Sequence, residues 1–274
     1  LEKLKAFRSL GINRISIGAQ SFDDTLLQKL GRTHNAKETE NAVIMAYEQG
    51  FENITIDLMY DLPGQDLKDW QKSLKITASL PINHLSLYNL QIEEGTVFHK
   101  KRKQLEPLLP DPETSLQMLQ MAKQEMSRAG LIQYEISAFA KPGKHSQHNT
   151  SYWTGREFIG FGPSAFSYLD GIRFRNPTHF GKYKNALAEG RDPADFFDEL
   201  KGDARRRELL AIELRLLQGV DLQNFQKRHG ALHQDTLAAL LELEADNLIT
   251  YAKDHPRLTE QGVLFYDTVA STLV

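Results

Sequence analysis

The chain has 274 residues, a formal net charge of −3 and no cysteine. Apolar residues make up 41% and charged residues 25%, a balance that is typical of globular proteins and excludes disordered and fibrous classes. The slight excess of acid disfavours a general nucleic-acid binder, and no apolar run reaches the roughly 18 residues of a membrane helix. Without cysteine, this chain alone forms no disulfide, thiolate nucleophile or thiolate-bound metal cluster.

The first half of the sequence alternates between short apolar strands and amphipathic helices. Strands are predicted at Arg14–Ala19, Asn53–Tyr60 and His84–Leu90. Helices are predicted at Ala36–Gln49, Asp66–Leu80 and Pro112–Ala129, with Asp66 able to cap the second of them. Strand–helix–strand units of this kind predict right-handed crossovers and a parallel sheet. Residues Leu1–Leu10 are typical of the end of an amphipathic helix, and because residue 1 is not Met we expect a preceding portion of the chain.

Beyond residue 130 the regular alternation of strands and helices ends. A further strand is predicted over Gln133–Ala140, a polar loop over Lys141–Tyr152 and a Gly-Phe-Gly-Pro turn within Phe158–Tyr168. From about residue 192, three helices, a short strand and a closing helix capped by Thr259 predict a small winged-helix-like module. The helices are predicted at Arg205–Leu217, Asp221–Arg228 and Gln234–Asp246. We interpret Arg205–Arg207 as a solvated helix face, and His229 and His233 as surface residues.

Polar residues occur where the predicted parallel strands end, which is where α/β folds place their sites. Gln20 ends the first strand, Arg32 follows it by a short connector, and Gln91 follows the third strand. Asp57 lies within the apolar run Asn53–Tyr60, and a buried carboxylate needs a partner. From the residues alone, Asp57 either forms a structural ion pair or contacts a ligand hydroxyl or ammonium group.

Six motifs follow one another in order. They are SIGAQSF (16–22), LGRTH (30–34), DLMYDLPGQ (57–65), SLYNLQIEEGTVF (86–98), YEIS (134–137) and HNTSYW (148–153). The first four resemble the radical S-adenosylmethionine (SAM) proteins related to oxygen-independent coproporphyrinogen III oxidase. The last two resemble the haem chaperones of the HemW type within that group. The sequence departs from the family pattern at Asp61, Ala138 and Phe166, where Gly, Asn and His are usual.

The resemblance implies an α/β fold, the C-terminal part of a partial (β/α)6 barrel followed by a winged-helix-like domain. Residues 1–130 would supply the last three β/α units, 131–191 a barrel extension with the His-Asn-x-x-Tyr-Trp motif, and 192–274 the C-terminal domain. A Cys-x3-Cys-x2-Cys loop for a [4Fe–4S] cluster would lie upstream of Leu1, so that this chain would carry no metal ligand. Because the barrel edge would then be open, we expect the isolated chain to be prone to aggregation.

The resemblance also assigns candidate site residues. Gln20, Arg32 and Asp57 match family positions that contact SAM, and Gln91 aligns with a position near the adenine. His148 is implied as an axial haem ligand, with Tyr152 and Trp153 against the porphyrin face. Two alternatives stay open: His145 competes as the ligand, and the three motif residues can instead have packing roles.

The function implied is a haem chaperone that binds haem and delivers it to acceptor proteins, with SAM and a [4Fe–4S] cluster bound by the complete protein. The alternative is an oxygen-independent coproporphyrinogen III oxidase, which decarboxylates propionates by radical chemistry in porphyrin biosynthesis. Whether the protein is an enzyme stays open between the two. We expect haem acceptors as partners, with membrane-associated respiratory enzymes among the candidates, and no nucleic acid. The expected location is the cytoplasm, and a dimer is an open alternative.

Overall fold

The computed structural model describes all 274 residues, and its contacts divide the chain into two units, Leu1–Ser146 and Gln147–Val274. None of its helices combines the length and the apolar character that a membrane crossing requires. The predicted division at residues 130 and 191 stays a prediction, and residues 132–140 join the sheet of the first unit.

The first unit contains a five-stranded sheet. Its strands are β1 (Arg14–Gln20), β2 (Asn53–Tyr60), β3 (His84–Asn89), β4 (Ile132–Glu135) and β5 (Ala138–Ala140). They lie in the order β1-β2-β3-β5-β4, so β1 is an edge strand, as expected for an open barrel. The first three strands are parallel, as predicted, but β5 runs antiparallel to β3 and β4 antiparallel to β5. The single strand predicted over 133–140 is therefore wrong, because a two-residue connection can join only antiparallel strands.

The helices of the first unit are α1 (Glu2–Ser9), α2 (Asp24–Lys29), α3 (Ala36–Glu48), α4 (Leu67–Ser79), α5 (Val97–Lys100), α6 (Arg102–Leu105) and α7 (Pro112–Arg128). Two of the main helices, α3 and α4, begin at side-chain caps. Asn35 and Glu38 form a capping box before α3. The Asp66 carboxylate accepts from the backbone N–H groups of Lys68 and Asp69 at 2.8 Å, which confirms the predicted cap of α4.

The two faces of β1–β3 differ in chemistry because successive side chains point to opposite sides of a strand. One face packs its apolar side chains, such as Ile56 and Leu85, against α3, α4 and α7 in the main core. The other face, the polar sheet face, carries Arg14, Ser16, Thr55, Asp57, His84 and Ser86. Helices therefore bury the parallel strands on one face, and the opposite face holds hydrogen-bonding groups.

The second unit has a three-stranded antiparallel sheet and a helical module with a β-hairpin wing. Its strands are β6 (Phe166–Leu169), β7 (Ile172–Arg175), β8 (Phe196–Glu199), β9 (Ile249–Ala252) and β10 (His255–Leu258). Its helices are α8 (Gln147–Trp153), α9 (Phe180–Ala188), α10 (Gly202–Glu213), α11 (Leu222–His229), α12 (Gln234–Ala245), α13 (Glu260–Leu264) and α14 (Tyr266–Leu273). The order α10, α11, α12, wing and closing helices confirms the winged-helix-like module.

Three local predictions for the second unit are wrong. Arg205–Arg207 do not form a solvated helix face, because all three are half-buried and Arg205 Nε donates to the Tyr168 hydroxyl at 3.1 Å.

The loop expected over Lys141–Tyr152 ends in α8, a short helix that has no apolar periodicity and is closed by a glycine turn at its C-terminus. His229 is half-buried rather than a surface residue: its Nε2 atom is buried without a hydrogen-bond partner, and its ring packs 4.8 Å from that of Phe225. Burial, then Arg228 and Arg205, lowers the pKa of His229.

Asp61, one of the departures from the family pattern named in the sequence analysis, follows β2 with a φ of +61°. This left-handed conformation favours glycine, and Asp is among the side chains that tolerate it. Ser115 Oγ on α7 donates to Asp61 Oδ1 at 2.6 Å, so the side chain also ties β2 to a helix. Burial raises the pKa of the Asp61 carboxyl, and the Ser115 bond opposes that rise.

We predict that Asp61→Ala lowers the free energy of unfolding by about 1–3 kcal/mol, because it keeps a Cβ at positive φ and loses the Ser115 bond. Asp61→Gly should stay within about 1 kcal/mol of the parent, because relief of the backbone offsets the lost bond. Urea denaturation of both variants measures the difference. Equal losses in the two variants would contradict this account of Asp61.

Candidate binding sites

Asp57 lies at the middle of the polar sheet face. Gly18, Asp57 and Ser86 stand in register across β1, β2 and β3. The Asp57 carboxylate is half-buried, and Ser16 Oγ lies 3.5 Å from its Oδ2. It forms no ion pair within 4 Å, but the charge of Arg14 on the same face interacts with it. The structure therefore leaves a carboxylate with free acceptor capacity on this face.

Gln20 and Asp57 are brought to the same part of the sheet. A bulge between Gly18 and Gln20 and a φ of +63° at Gln20 turn this side chain back over the strand. A Cβ on Gly18 would come within 2.6 Å of Gln20 Nε2, so the Gln20 amide lies directly over Gly18. Gly18 is the residue that pairs with Asp57 on the neighbouring strand. Arg32 and Gln91 are exposed in the loops that follow α2 and β3.

A hydrogen-bonded chain occupies the same face beside these residues. Thr55 Oγ1 lies 2.8 Å from His84 Nδ1, and His84 Nε2 lies 2.9 Å from the Tyr134 hydroxyl. The backbone N–H of Ser146 donates to that hydroxyl at 3.1 Å, and the ring of His145 stacks on Tyr134 at 4.0 Å. The sequence analysis did not identify His84 as part of a site. A single histidine within an otherwise apolar strand could have indicated it.

The burial of His84 has a consequence for acid stability. Desolvation, followed by the charges of Arg14 and His145, lowers the pKa of His84 to about 4. The unfolded chain, with a pKa near 6.5, takes up the proton first. Stability from the neutral imidazole is therefore fully present above about pH 6.5 and is lost as the pH falls towards 4.

We predict that this single group removes about 3 kcal/mol of the free energy of unfolding between pH 7 and pH 4. The His84→Asn variant should lose correspondingly less over the same interval, whatever its stability at pH 7. Urea denaturation at several pH values measures both slopes. As a matched control, His233→Asn changes an exposed imidazole and should keep the parent slope. An unchanged slope in His84→Asn would refute the assignment.

The second unit brings the motif residues of α8 together. His148 and Tyr152 are four residues apart on one helix face, with the Tyr152 hydroxyl 2.7 Å from His148 Nε2 and the rings in edge contact at 4.7 Å. Tyr152 also contacts the ring of Phe158 at 4.6 Å. Trp153 packs beneath the Arg215 guanidinium at 4.3 Å, and its buried Nε1 has no hydrogen-bond partner. His148 itself is exposed.

These residues line a cavity of about 580 Å³, a size that is typical of small-molecule sites. Its walls are mainly apolar, and the residues that line it include His148, Tyr152, Trp153, Phe161, Phe166 and Ile212. His145, the competing ligand of the sequence analysis, is not among the lining residues and instead stacks on Tyr134.

The loop Gly160–Gly162 contributes Gly160 and Phe161 to one wall of the cavity. Phe161 is 86% exposed at its tip. The buried Asn176 amide donates to the carbonyl oxygens of Gly160 at 3.3 Å and Gly162 at 3.0 Å. These bonds hold an exposed aromatic ring at the edge of the cavity.

Comparisons with known proteins show the family of this chain. The radical SAM superfamily matches residues 1–76, and the HemN C-terminal domain matches residues 200–265. The heme chaperone HemW of Bacillus subtilis (strain 168) is 36% identical over 269 residues, which are 98% of this chain and 71% of that protein. The chain belongs to the HemW family. This membership confirms the family resemblance drawn from the ordered motifs.

Two further comparisons agree with the HemW assignment. The heme chaperone HemW of Escherichia coli (strain K12) is 32% identical over 96% of this chain and 68% of that protein. The solved structure of coproporphyrinogen III oxidase (HemN) from Escherichia coli matches with a TM-score of 0.85 and 22% identity, over 99% of this chain and 66% of that one. At this identity the HemN likeness shows a shared fold.

The radical SAM superfamily implies SAM and a [4Fe–4S] cluster. The residues of this chain offer groups that suit SAM but no ligands for the cluster. The chain contains no cysteine, and none of its His, Asp and Glu side chains group in threes that could hold a metal ion. Cluster ligands are therefore not found among these residues. The chemistry of the polar sheet face fits SAM, because the Asp57 carboxylate and the Gln20 amide offer acceptors and donors of the kind that its ribose and amino groups require.

Proposed function

We propose that this chain binds haem as the cargo of a haem chaperone, with His148 as the ligand to iron. The observation that carries the proposal is the exposed imidazole of His148 at an apolar cavity of about 580 Å³. A porphyrin has a flat apolar macrocycle and an iron atom that accepts an axial imidazole. Aromatic walls beside one accessible imidazole meet both requirements.

Tyr152 regulates the availability of this imidazole. Its hydroxyl bonds to His148 Nε2 at 2.7 Å, so this bond breaks when Nε2 ligates iron and forms again when haem leaves. Loss of this hydrogen bond makes the free energy of haem binding less favourable by about 1 kcal/mol, the typical net contribution of one hydrogen bond. Such an exchange suits a protein that must release its cargo to acceptor proteins, among which we place membrane-associated respiratory enzymes.

The alternative, an oxygen-independent coproporphyrinogen III oxidase, has weaker support. The relatives from Bacillus subtilis, Mycobacterium tuberculosis and Escherichia coli, which are 32–36% identical over 96–100% of this chain, are named heme chaperones. The likeness to HemN concerns the fold, at 22% identity.

We assign SAM to the polar sheet face. Asp57 accepts hydrogen bonds from the ribose hydroxyls or the amino group, Gln20 bonds to the ribose or methionine part, and the Arg32 guanidinium pairs with the carboxylate. Gln91 lies near the adenine. A [4Fe–4S] cluster, when bound, would supply an electron to SAM. The residues of this chain orient the SAM molecule.

A haem titration followed by the Soret band tests the cargo site. We predict saturable binding at one site and a weakened or spectrally altered complex in His148→Ala, because the axial ligand is lost. His145→Ala should bind as the parent does, and so should His233→Asn, which keeps a capping acceptor outside the cavity. Equal spectra for the parent and His148→Ala would remove His148 from the ligand role.

Equilibrium dialysis with radiolabelled SAM tests the polar sheet face. Asp57→Asn should weaken SAM binding about tenfold, because charge-assisted hydrogen bonds to the carboxylate are lost. Asp235→Asn, which removes an exposed carboxylate of the second unit, serves as the control and should leave binding unchanged. The assignment fails if the two variants bind SAM equally well.

A further inference from the structure

Two arginines line the cavity, and they differ in their partners. Arg173 contacts Glu208 at 2.9 Å and Asp198 at 3.5 Å, so two carboxylates neutralise its charge. Arg156 forms no ion pair and no side-chain hydrogen bond, and its side chain is exposed. The cavity therefore has one uncompensated guanidinium at its wall.

Arg156 is held close to α8 by the turn that ends this helix. The backbone N–H of Gly155 donates to the Tyr152 carbonyl, and that of Arg156 donates to the Ser151 carbonyl, both at 3.0 Å. With Gly155 at a φ of +67°, these two bonds form a Schellman motif. The backbone of Arg156 thus has a fixed place relative to the helix that carries His148.

The chain beyond Arg156 is fixed as well. Phe158 and Tyr168 exchange backbone hydrogen bonds at 2.9 Å in both directions, which joins this segment to β6. The neighbouring Glu157 is engaged elsewhere, since its carboxylate accepts from the backbone N–H of Asp170 at 2.8 Å. Arg156 therefore stands on a backbone anchored on both sides, while its guanidinium keeps all its donors available.

The chemistry of the remaining wall indicates what this guanidinium binds. The cavity offers aromatic surface to a macrocycle and an imidazole to a metal, so a free cation beside them adds a site for an anionic substituent. A guanidinium fork matches a carboxylate in a bidentate arrangement, which makes the contact specific as well as strong. Glu208 does not compete for it, because its carboxylate pairs with Arg173.

We infer that Arg156 binds a propionate carboxylate of the porphyrin, so that the cavity selects tetrapyrroles with free carboxylates. The inference rests on the proposed function and goes beyond it by naming the group that sets the orientation and the selectivity of the cargo. His148 holds the metal and Arg156 holds the edge of the macrocycle, which fixes the rotation of the ring in the cavity.

Titrations with ferric haem and with its dimethyl ester, in one detergent-containing buffer, test this role. The parent chain should bind haem about tenfold more tightly than the ester, because the ester lacks the charge-assisted hydrogen bonds between a carboxylate and Arg156. In Arg156→Gln that preference should fall to about twofold or less, mainly through weaker haem binding, and Arg156→Lys should restore part of it. Lys227→Gln removes an exposed cation outside the cavity and should keep the parent preference.

The outcomes separate the two claims. Haem and ester binding with equal affinity to the parent, or an unchanged preference in Arg156→Gln, overturns the role of Arg156 and leaves haem binding in place. Failure of the parent to bind either compound overturns the proposed function and the inference with it. Circular dichroism on each variant shows whether the fold is retained, and the ester comparison within the parent needs no variant at all.

Discussion

The turn at Gly155 is the constraint on which the cavity of the second unit depends. Its φ of +67° ends α8, and a Cβ at this position would come within 2.6 Å of Leu209 Cδ2 on α10. The backbone conformation therefore favours glycine, and any side chain here would also have to displace the Leu209 methyl group. Before the turn lie His148 and Tyr152, and after it lies Arg156. One glycine thus fixes the backbone positions of His148 and Arg156 relative to each other.

The two units provide different chemistry. The polar sheet face of the first unit offers hydroxyl, amide and carboxylate groups, which suit a small polar molecule such as SAM. The second unit offers a mainly apolar cavity with one imidazole and one free guanidinium, which suits a porphyrin. Because each set of groups lies within its own unit, each proposed ligand can be tested by substitutions that leave the other site intact.

The sequence predicted the elements that local signals define. The strands β1–β3 and the helices α3, α4 and α7 were predicted within one or two residues, because apolar periodicity and Asp or Asn caps act locally. The short helices α2, α5 and α9 also have side-chain caps but were not predicted, because they are too short to show an apolar period. The segment that contains α8 was predicted as a loop, since a short polar helix closed by a glycine turn has no periodic pattern. The hairpin of β4 and β5 was missed because an apolar run does not reveal a reversal within it.

The geometry of the sites depended on contacts that the sequence does not display. A bulge and a positive φ place the Gln20 amide over Gly18, the residue that pairs with Asp57, and His84 contacts Tyr134 across 50 positions of the sequence. Arg156 belongs to no recognisable motif, and only its unpaired state beside the cavity distinguishes it from other arginines. Asp61, noted as a departure from the family pattern, keeps the left-handed backbone that glycine would adopt.

Hydrogen–deuterium exchange with and without haem tests the central claim most directly, because it asks in which unit the cargo binds. The account predicts slower exchange in residues 147–166, which include α8, its glycine turn and the Gly160–Gly162 loop, with unchanged exchange in β1–β3. Protection confined to β1–β3 and the Tyr134 segment would place haem on the polar sheet face and contradict the account.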